Sequence, residues 1–311
     1  MRSVVGRQIR IIGILLTLML LLNRCKSDQE KQDEWPDTWY RGTINISADE
    51  SFKPIVNALI EVYESNQPRT KIIAHYKPEA ECLKDFAIDS IRVIIATRGY
   101  TESEENFMID SMKVAPKEQT VAKDAIAVIV NPEAQDSFFT MSELKQILRG
   151  KFNKKLIPVF DGVKATSTVR FIVDSVLHSD SLSSSAVAAR TSEGVIDYVA
   201  KTPDAIGFIG VSWIGNKDDT AQMNFLTKVK VARLESTDRP GGYVLPYQAN
   251  IYSKSYPMVR DLVYILKEKH NGLGTGFTDF MADEKGQLIF RRAYLVPALR
   301  SFYVRKARLR D

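Results

Sequence analysis

Apolar positions along this chain switch repeatedly between two periods. From Thr43, TINIS alternates apolar and polar residues and ends in the turn-like stretch Ala48–Ser51. PIVNALIEVYES then places Ile55, Val56, Leu59, Ile60 and Tyr63 on one helical stripe. IRVIIATR is a short β-branched run ending in polar residues, as a strand buried on both faces is, and DAIAVIVNP is another. Thr140-Met-Ser-Glu143 is a capping-box pattern ahead of LKQIL, with Gly150 placed to end that helix. LIPVF predicts a strand, SEGVIDYVAK a helix, and DAIGFIGVSWI a glycine-punctuated strand. MVRDLVYILKEKH follows Pro257 and stops at Asn271-Gly272, which predicts a helix. Strands alternating with helices give an α/β fold with mixed, mostly parallel sheets.

The stretch ATSTVRFIVDSVL (165–177) adds chemistry to this pattern. Val169, Ile172, Val173, Val176 and Leu177 form one apolar stripe, preceded by three adjacent hydroxyls, Thr166, Ser167 and Thr168. One hydroxyl suffices to cap a helix, whereas several beside free backbone N–H groups suit an oxyanion. Arg170 lies in the first turn, the unfavourable end of the helix dipole for a cation, so a nearby anion would stabilise it. The alternative is an i,i+4 pair with Asp174. Two other predicted strands end in donors too: SADESF after TINIS, and TRG after VIIA. In open α/β sheets ligands sit beyond such strand ends.

Charge narrows the classes of function. The net charge is +5, but Arg2, Arg7, Arg10 and Arg24 lie in the first 24 residues, and the remainder carries 39 cations against 38 anions. The basic balance is therefore no argument for nucleic acid, and no RNA motif, zinc spacing or basic-region heptad occurs. No catalytic triad pattern, metal-ligand cluster or phosphate-binding P-loop is recognisable, so no enzyme and no cofactor are expected. The second of the two cysteines, Cys82, reads as a buried helical thiol.

Arg2, Arg7 and Arg10 precede a twelve-residue apolar run, Ile11–Leu22, followed by Cys25. That run has the length of a signal-peptide core and is too short to span a bilayer. The arrangement resembles a bacterial lipoprotein signal peptide, which implies residues 1–24 as the signal and lipidation of Cys25. Arg24 stands where such signals carry a small residue. Residues 25–40 read as a flexible tether.

The order of segments resembles the phosphate-binding protein of bacterial phosphate ABC importers, a two-lobed periplasmic-type solute-binding protein. KDAIAVIVNP (123–132) resembles the family's first hinge-crossing strand, SELKQILRGKF its "region I-F-x-G" helix, and DAIGFIGVSWI its "aIGYvg" strand. GLGTGFTDFMADEKGQLIFRRAYLVPAL (272–299) resembles its C-terminal ending. The similarity runs from about residue 42 to 299. It implies lobe one at 41–123 and 249–311, lobe two at 124–248, and crossings near 123–131 and 240–252. The family's three anion loops fall on Ser51 and Phe52, on Thr97 and Arg98, and on Thr166, Ser167 and Thr168. Three departures stand out. Asp161 occupies the place of a family arginine, for which Arg170 is the candidate substitute. YKPEAE (76–81) lacks the usual loop hydroxyl, and Arg98-Gly99 replaces an aspartate. Asp49 and Asp161 are then the candidate acceptors for the proton that phosphate carries and sulfate lacks. The resemblance thus implies a lipid-anchored extracytoplasmic protein that closes on phosphate or a related oxyanion and hands it to an ABC importer permease. The rival reading is a lipoprotein of the same fold that serves as a sensor or structural partner without transport.

Overall fold

The computed structural model describes residues 36–162, 166–178 and 181–299. The signal segment, Cys25 and the basic C-terminal run lie outside the described residues. In the first half, β1 (Arg41–Asp49), β2 (Arg69–Lys77), β3 (Ile91–Ala96) and β4 (Lys117–Val130) alternate with α1 (Lys53–Asn66), α2 (Glu79–Lys84) and α3 (Glu102–Met112). The next stretch contains β5 (Phe138–Phe139), α4 (Met141–Leu148), β6 (Ile157–Phe160), α5 (Ser167–Phe171), β7 (Val187–Ala188), α6 (Ser192–Lys201) and β8 (Ala205–Gly210). Then come α7 (Thr220–Lys228), β9 (Lys230–Val231), β10 (Arg233–Glu235), β11 (Tyr243–Val244) and α8 (Gln248–Tyr252). The chain returns through β12 (Val259–Leu266), α9 (Leu273–Ala282), α10 (Glu284–Arg292) and β13 (Val296–Pro297).

Ten strands join in one curled sheet of order β2-β1-β3-β12-β4-β8-β6-β7, with β9 and β13 also on β4. Pairing is parallel toward both edges (β1 with β2 and β3, β6 with β7 and β8) and antiparallel around β12 and β4. The long strand β4 belongs to both lobes of this α/β fold. Its residues up to Ala125 pair with β12, and Ile126–Val130 pair with β8. β5, β10 and β11 form a small second sheet.

One expected element differs. Residues 259–266 are a strand, not part of a helix. Leu262 through Leu266 are buried in succession because β12 lies between β3 and β4 with both faces covered. A short, wholly apolar run of this kind satisfies a helical stripe as readily as a two-sided strand, and only the neighbours decide. The capping box at Thr140 forms with both reciprocal bonds, Glu143 N–H to Thr140 Oγ1 and Thr140 N–H to the Glu143 carboxylate. Cys82 is buried on α2 as a free thiol, pushed up to about 12 by burial.

Candidate functional site

Three loops at the C-terminal ends of β1, β3 and β6 meet where the two lobes touch, beside the long strand β4 and its neighbour β12. β1 ends in Asp49, whose Oδ1 accepts from the Ser51 backbone N–H and hydroxyl, both at 2.9 Å, and so shapes a single 3-10 turn over Glu50–Phe52. β6 leads into α5, where Thr166 caps the helix by accepting from the Val169 N–H at 3.2 Å. The helix continues as one π-helical turn over Ile172–Leu177, a feature common near functional sites.

Between these loops lies Arg260, on β12 and only 5% exposed. It sits directly opposite Asp124 of β4 in the strand register. Its Nε and Nη2 reach Asp124 Oδ2 at 2.9 and 2.8 Å. Nη1 donates to Ser167 Oγ at 2.9 Å and more weakly to Thr168 Oγ1 at 3.4 Å, while Nη2 donates to Ser51 Oγ at 3.2 Å. One guanidinium therefore binds hydroxyls from both lobes and pairs with Asp124 on β4, the strand the lobes share. The Phe52 ring lies 5.1 Å beneath it and shields its face while attracting its charge. The Ser51 and Ser167 hydroxyls are themselves 3.2 Å apart. A Cβ at Gly210 would stand 3.0 Å from Arg260 Nη2 and 3.2 Å from the Ser51 carbonyl, so the absence of a side chain there permits the close approach.

Further bonds join the lobes around this point. The Ser51 carbonyl accepts from Trp213 Nε1 at 3.0 Å and from the Ser212 hydroxyl at 3.2 Å. The Glu50 carboxylate caps α6 by accepting from the Ser192 hydroxyl at 2.8 Å and its N–H at 3.2 Å.

A second polar seam lies alongside. Glu79, at the start of α2 and 2% exposed, accepts from the Thr97 N–H at 2.8 Å and its hydroxyl at 2.5 Å. Arg170, from the other lobe, donates from Nε to Glu79 at 2.7 Å and from Nη2 to Thr97 Oγ1 at 2.6 Å. Its contact with Asp174 is longer, 3.5 Å. Burial opposes ionisation of Glu79, yet the Arg170 hydrogen bond and charge, with the Thr97 donors, hold its carboxyl below the usual range.

The expected ligand residues thus separate into two groups and two outliers, one of them Thr166, whose hydroxyl is taken up in capping α5. Ser51, Phe52, Ser167 and Thr168 gather on Arg260; Thr97 and Arg170 gather on Glu79. Arg98 joins neither, because its guanidinium forks onto Glu104 at 2.7 and 3.0 Å and bonds the Gly99 carbonyl. Asp49 and Asp161 are both buried beside the Arg260 cluster. Burial raises Asp161 to about 7, with the Asp49 and Glu50 charges adding and Thr166 and Arg260 opposing. Burial also raises Asp49 and Asp124, with Arg260 opposing in both. Among the described residues, no group of three or more His, Cys, Asp or Glu side chains is placed to hold a metal ion.

Sequence reasoning missed Arg260, Asp124 and Glu79. A signal was present for the first two: each is a charge set inside a β-branched apolar run, DAIAVIV and VRDLVYIL. Reading the second run as a helix hid it, since a helix offers a polar face where a charge is unremarkable.

Comparison with known proteins gives a consistent relationship. A family model described as a PBP superfamily domain matches residues 36–285. The phosphate-binding protein PstS of Borreliella burgdorferi is 22% identical over 297 residues, covering 90% of this chain and 95% of that protein. A candidate phosphate ABC transporter substrate-binding protein with bound phosphate, from Clostridium perfringens, superposes with a TM-score of 0.69 at 20% identity, covering 83% of this chain and all of that one. An ABC-type phosphate transport receptor from Vibrio cholerae gives a TM-score of 0.59 at 17% identity, covering 81% and 99%.

Proposed function

Because the chain belongs to the PBP superfamily, we propose that it is a substrate-binding protein that captures phosphate or a related tetrahedral oxyanion between its lobes. It then delivers the ion to an ABC importer. The observation that carries this reading is Arg260: a buried guanidinium on β12, beside the long strand β4, that donates to hydroxyls of both lobes at once. An anion seated among those donors would bind across the lobe boundary, so capture and closure become one event. Guanidinium and hydroxyl groups suit a tetrahedral oxyanion by charge and geometry. Nothing in this mechanism makes or breaks a covalent bond. The reading is also supported by relatives whose names state phosphate binding or phosphate transport.

The reading places the protein outside the cytoplasmic membrane, tethered through lipid on Cys25, as the signal-like segment and following polar stretch suggest. A Cys25→Ser chain should then leave the membrane fraction or retain its signal; unchanged mature mass and fractionation would exclude the anchor.

The second reading, a sensor or structural partner of the same fold, draws on the Glu79–Arg170 seam. There a carboxylate of the chain itself occupies donors that the resemblance assigns to the anion. Calorimetry with phosphate, sulfate, arsenate and molybdate on the chain from residue 36 separates the two. Saturable binding of phosphate supports capture, and no heat with any oxyanion supports the rival.

A further inference from the structure

Arg170 reaches across the lobe boundary into a seat that the other lobe has already built. Glu79, at the start of α2, takes the Thr97 N–H on Oε1 at 2.8 Å, which leaves Oε2 to accept from Arg170 Nε at 2.7 Å. The Thr97 hydroxyl donates to the same Oε1 and accepts from Arg170 Nη2 at 2.6 Å. One guanidinium thus grips an acid and a hydroxyl that hold each other in place. Both are buried, Glu79 at 2% and Thr97 at 8% exposure, and buried ion pairs are screened least by solvent and salt. Burial opposes ionisation of Glu79, but the Arg170 hydrogen bond and charge outweigh it. The carboxyl lies below its usual range and is charged at neutral pH.

A second carboxyl of the same lobe also crosses the boundary. Glu50, in the turn after β1, accepts from the N–H and hydroxyl of Ser192, the first residue of α6. Burial raises the Glu50 carboxyl, so its part here is that of a hydrogen-bond acceptor, and the charge at the boundary comes from Glu79. A guanidinium fork, and an N–H with a hydroxyl beside it, are donor sets that suit an oxyanion. In this chain its own carboxyl groups fill both sets, and each set is complete only when the lobes are together.

Resting on the capture reading above, we propose that Glu79 is a resident anion that holds the lobes shut before phosphate arrives, with Glu50 assisting, so that the oxyanion enters only when this clasp opens. The Arg260 cluster remains the place where the anion binds. Capture is then opening, entry and re-closure: closure still traps the ion, while release of Arg170 from Glu79 sets the rate of entry. The clasp is made in the closed form with or without phosphate, so its loss changes rates far more than affinity.

The test uses Trp213, whose Nε1 donates to the Ser51 carbonyl across the boundary at 3.0 Å and whose fluorescence therefore reports lobe separation. In stopped flow with rising inorganic phosphate, the observed rate should level off at the opening rate of the clasp. Glu79→Gln keeps the side-chain shape without its charge, and Arg170→Ala removes the partner. Each should raise that plateau about tenfold, as loss of one partly screened ion pair implies, with phosphate affinity changed less than about threefold. Solution X-ray scattering adds a reading without ligand: the wild-type radius of gyration should be the same with and without phosphate, while both variants expand without it and contract when it is added. Wild-type protein that contracts on phosphate, or that shares its plateau with Glu79→Gln, overturns the inference and leaves the capture reading intact. Identical scattering of all three phosphate-free proteins, each folded by circular dichroism, also overturns it. Expanded variants with no calorimetric response to phosphate in any of the three proteins would keep the clasp and overturn the capture reading.

Discussion

The two polar seams between the lobes use the same chemistry and reach opposite states. At the Glu79 seam, both carboxylate oxygens are engaged, one by the Thr97 N–H and hydroxyl and the other by Arg170. At the Arg260 seam, the guanidinium donates to Asp124, Ser51, Ser167 and Thr168, yet three carboxylate oxygens around it lack donors among the described residues. The first seam needs nothing further and acts as a clasp between lobes. The second retains acceptor capacity that the described residues do not fill, and unfilled capacity is what a binding site has to offer. Full satisfaction of buried polar groups is the norm in folded proteins, so the incomplete seam is the one where we propose that the anion binds.

Removal of Arg260 should produce the largest effect. Arg260→Ala leaves Asp124 buried and unpaired, which costs about 3–5 kcal/mol of stability, read by chemical denaturation. Truncating one partner of a buried charge pair costs about 2–5 kcal/mol in binding, or roughly 30- to several-thousand-fold in phosphate affinity. An affinity unchanged within a factor of about three would move the site away from Arg260.

Asp161 comes next, and its effect on stability has a definite sign. Its folded-state pKa of about 7 lies above the ordinary value, so the folded protein binds the extra proton more tightly than the unfolded chain. The associated stability is present below about pH 4 and is lost as pH rises through about 7, amounting to at most about 4 kcal/mol. Asp161→Asn should flatten that stretch of the pH–stability curve and raise stability at neutral pH. Removing an acceptor that reads a ligand proton should also bring sulfate affinity toward that of phosphate. An unaltered phosphate-to-sulfate ratio and an unaltered pH–stability curve would assign Asp161 to the background.

The clasp should matter less. Arg170 is about a third exposed, and water screens part of its attraction to Glu79, so Arg170→Ala should cost about 1–2 kcal/mol of stability, below the value for a fully buried pair. Glu79 has a lowered pKa, so its contribution is present at neutral pH and is lost on acidification through its folded-state pKa. The double variant Glu79→Ala with Arg170→Ala should recover part of the loss, because no unpaired charge remains. If Arg170→Ala lowered phosphate affinity as steeply as Arg260→Ala, the division between clasp and site would collapse. The smallest effect belongs to Asp174, exposed and 3.5 Å from Arg170: Asp174→Ala should change stability by about 0.3–0.5 kcal/mol and leave anion affinity alone.

Much of the scaffold was legible along the chain because it depends on local periodicity. The stripe Ile55–Tyr63, the β-branched run at 91–96 and the capping box at Thr140 each carry their own instruction within one or two turns. The same holds for the hydroxyls at 166–168, whose position before an apolar stripe places them at a helix start beyond a strand end. The sequence therefore determined the α/β alternation and which polar residues stand at strand ends. It did not determine which of them meet. Arg260 finds Asp124 across 136 positions and Ser51 across 209, and Arg170 reaches Glu79 across 91. Such pairings arise only when β12 settles beside β4 and the lobes come together. Whether a charge in an apolar run is solvated or buried depends on what covers its element, and that is a property of the packed molecule.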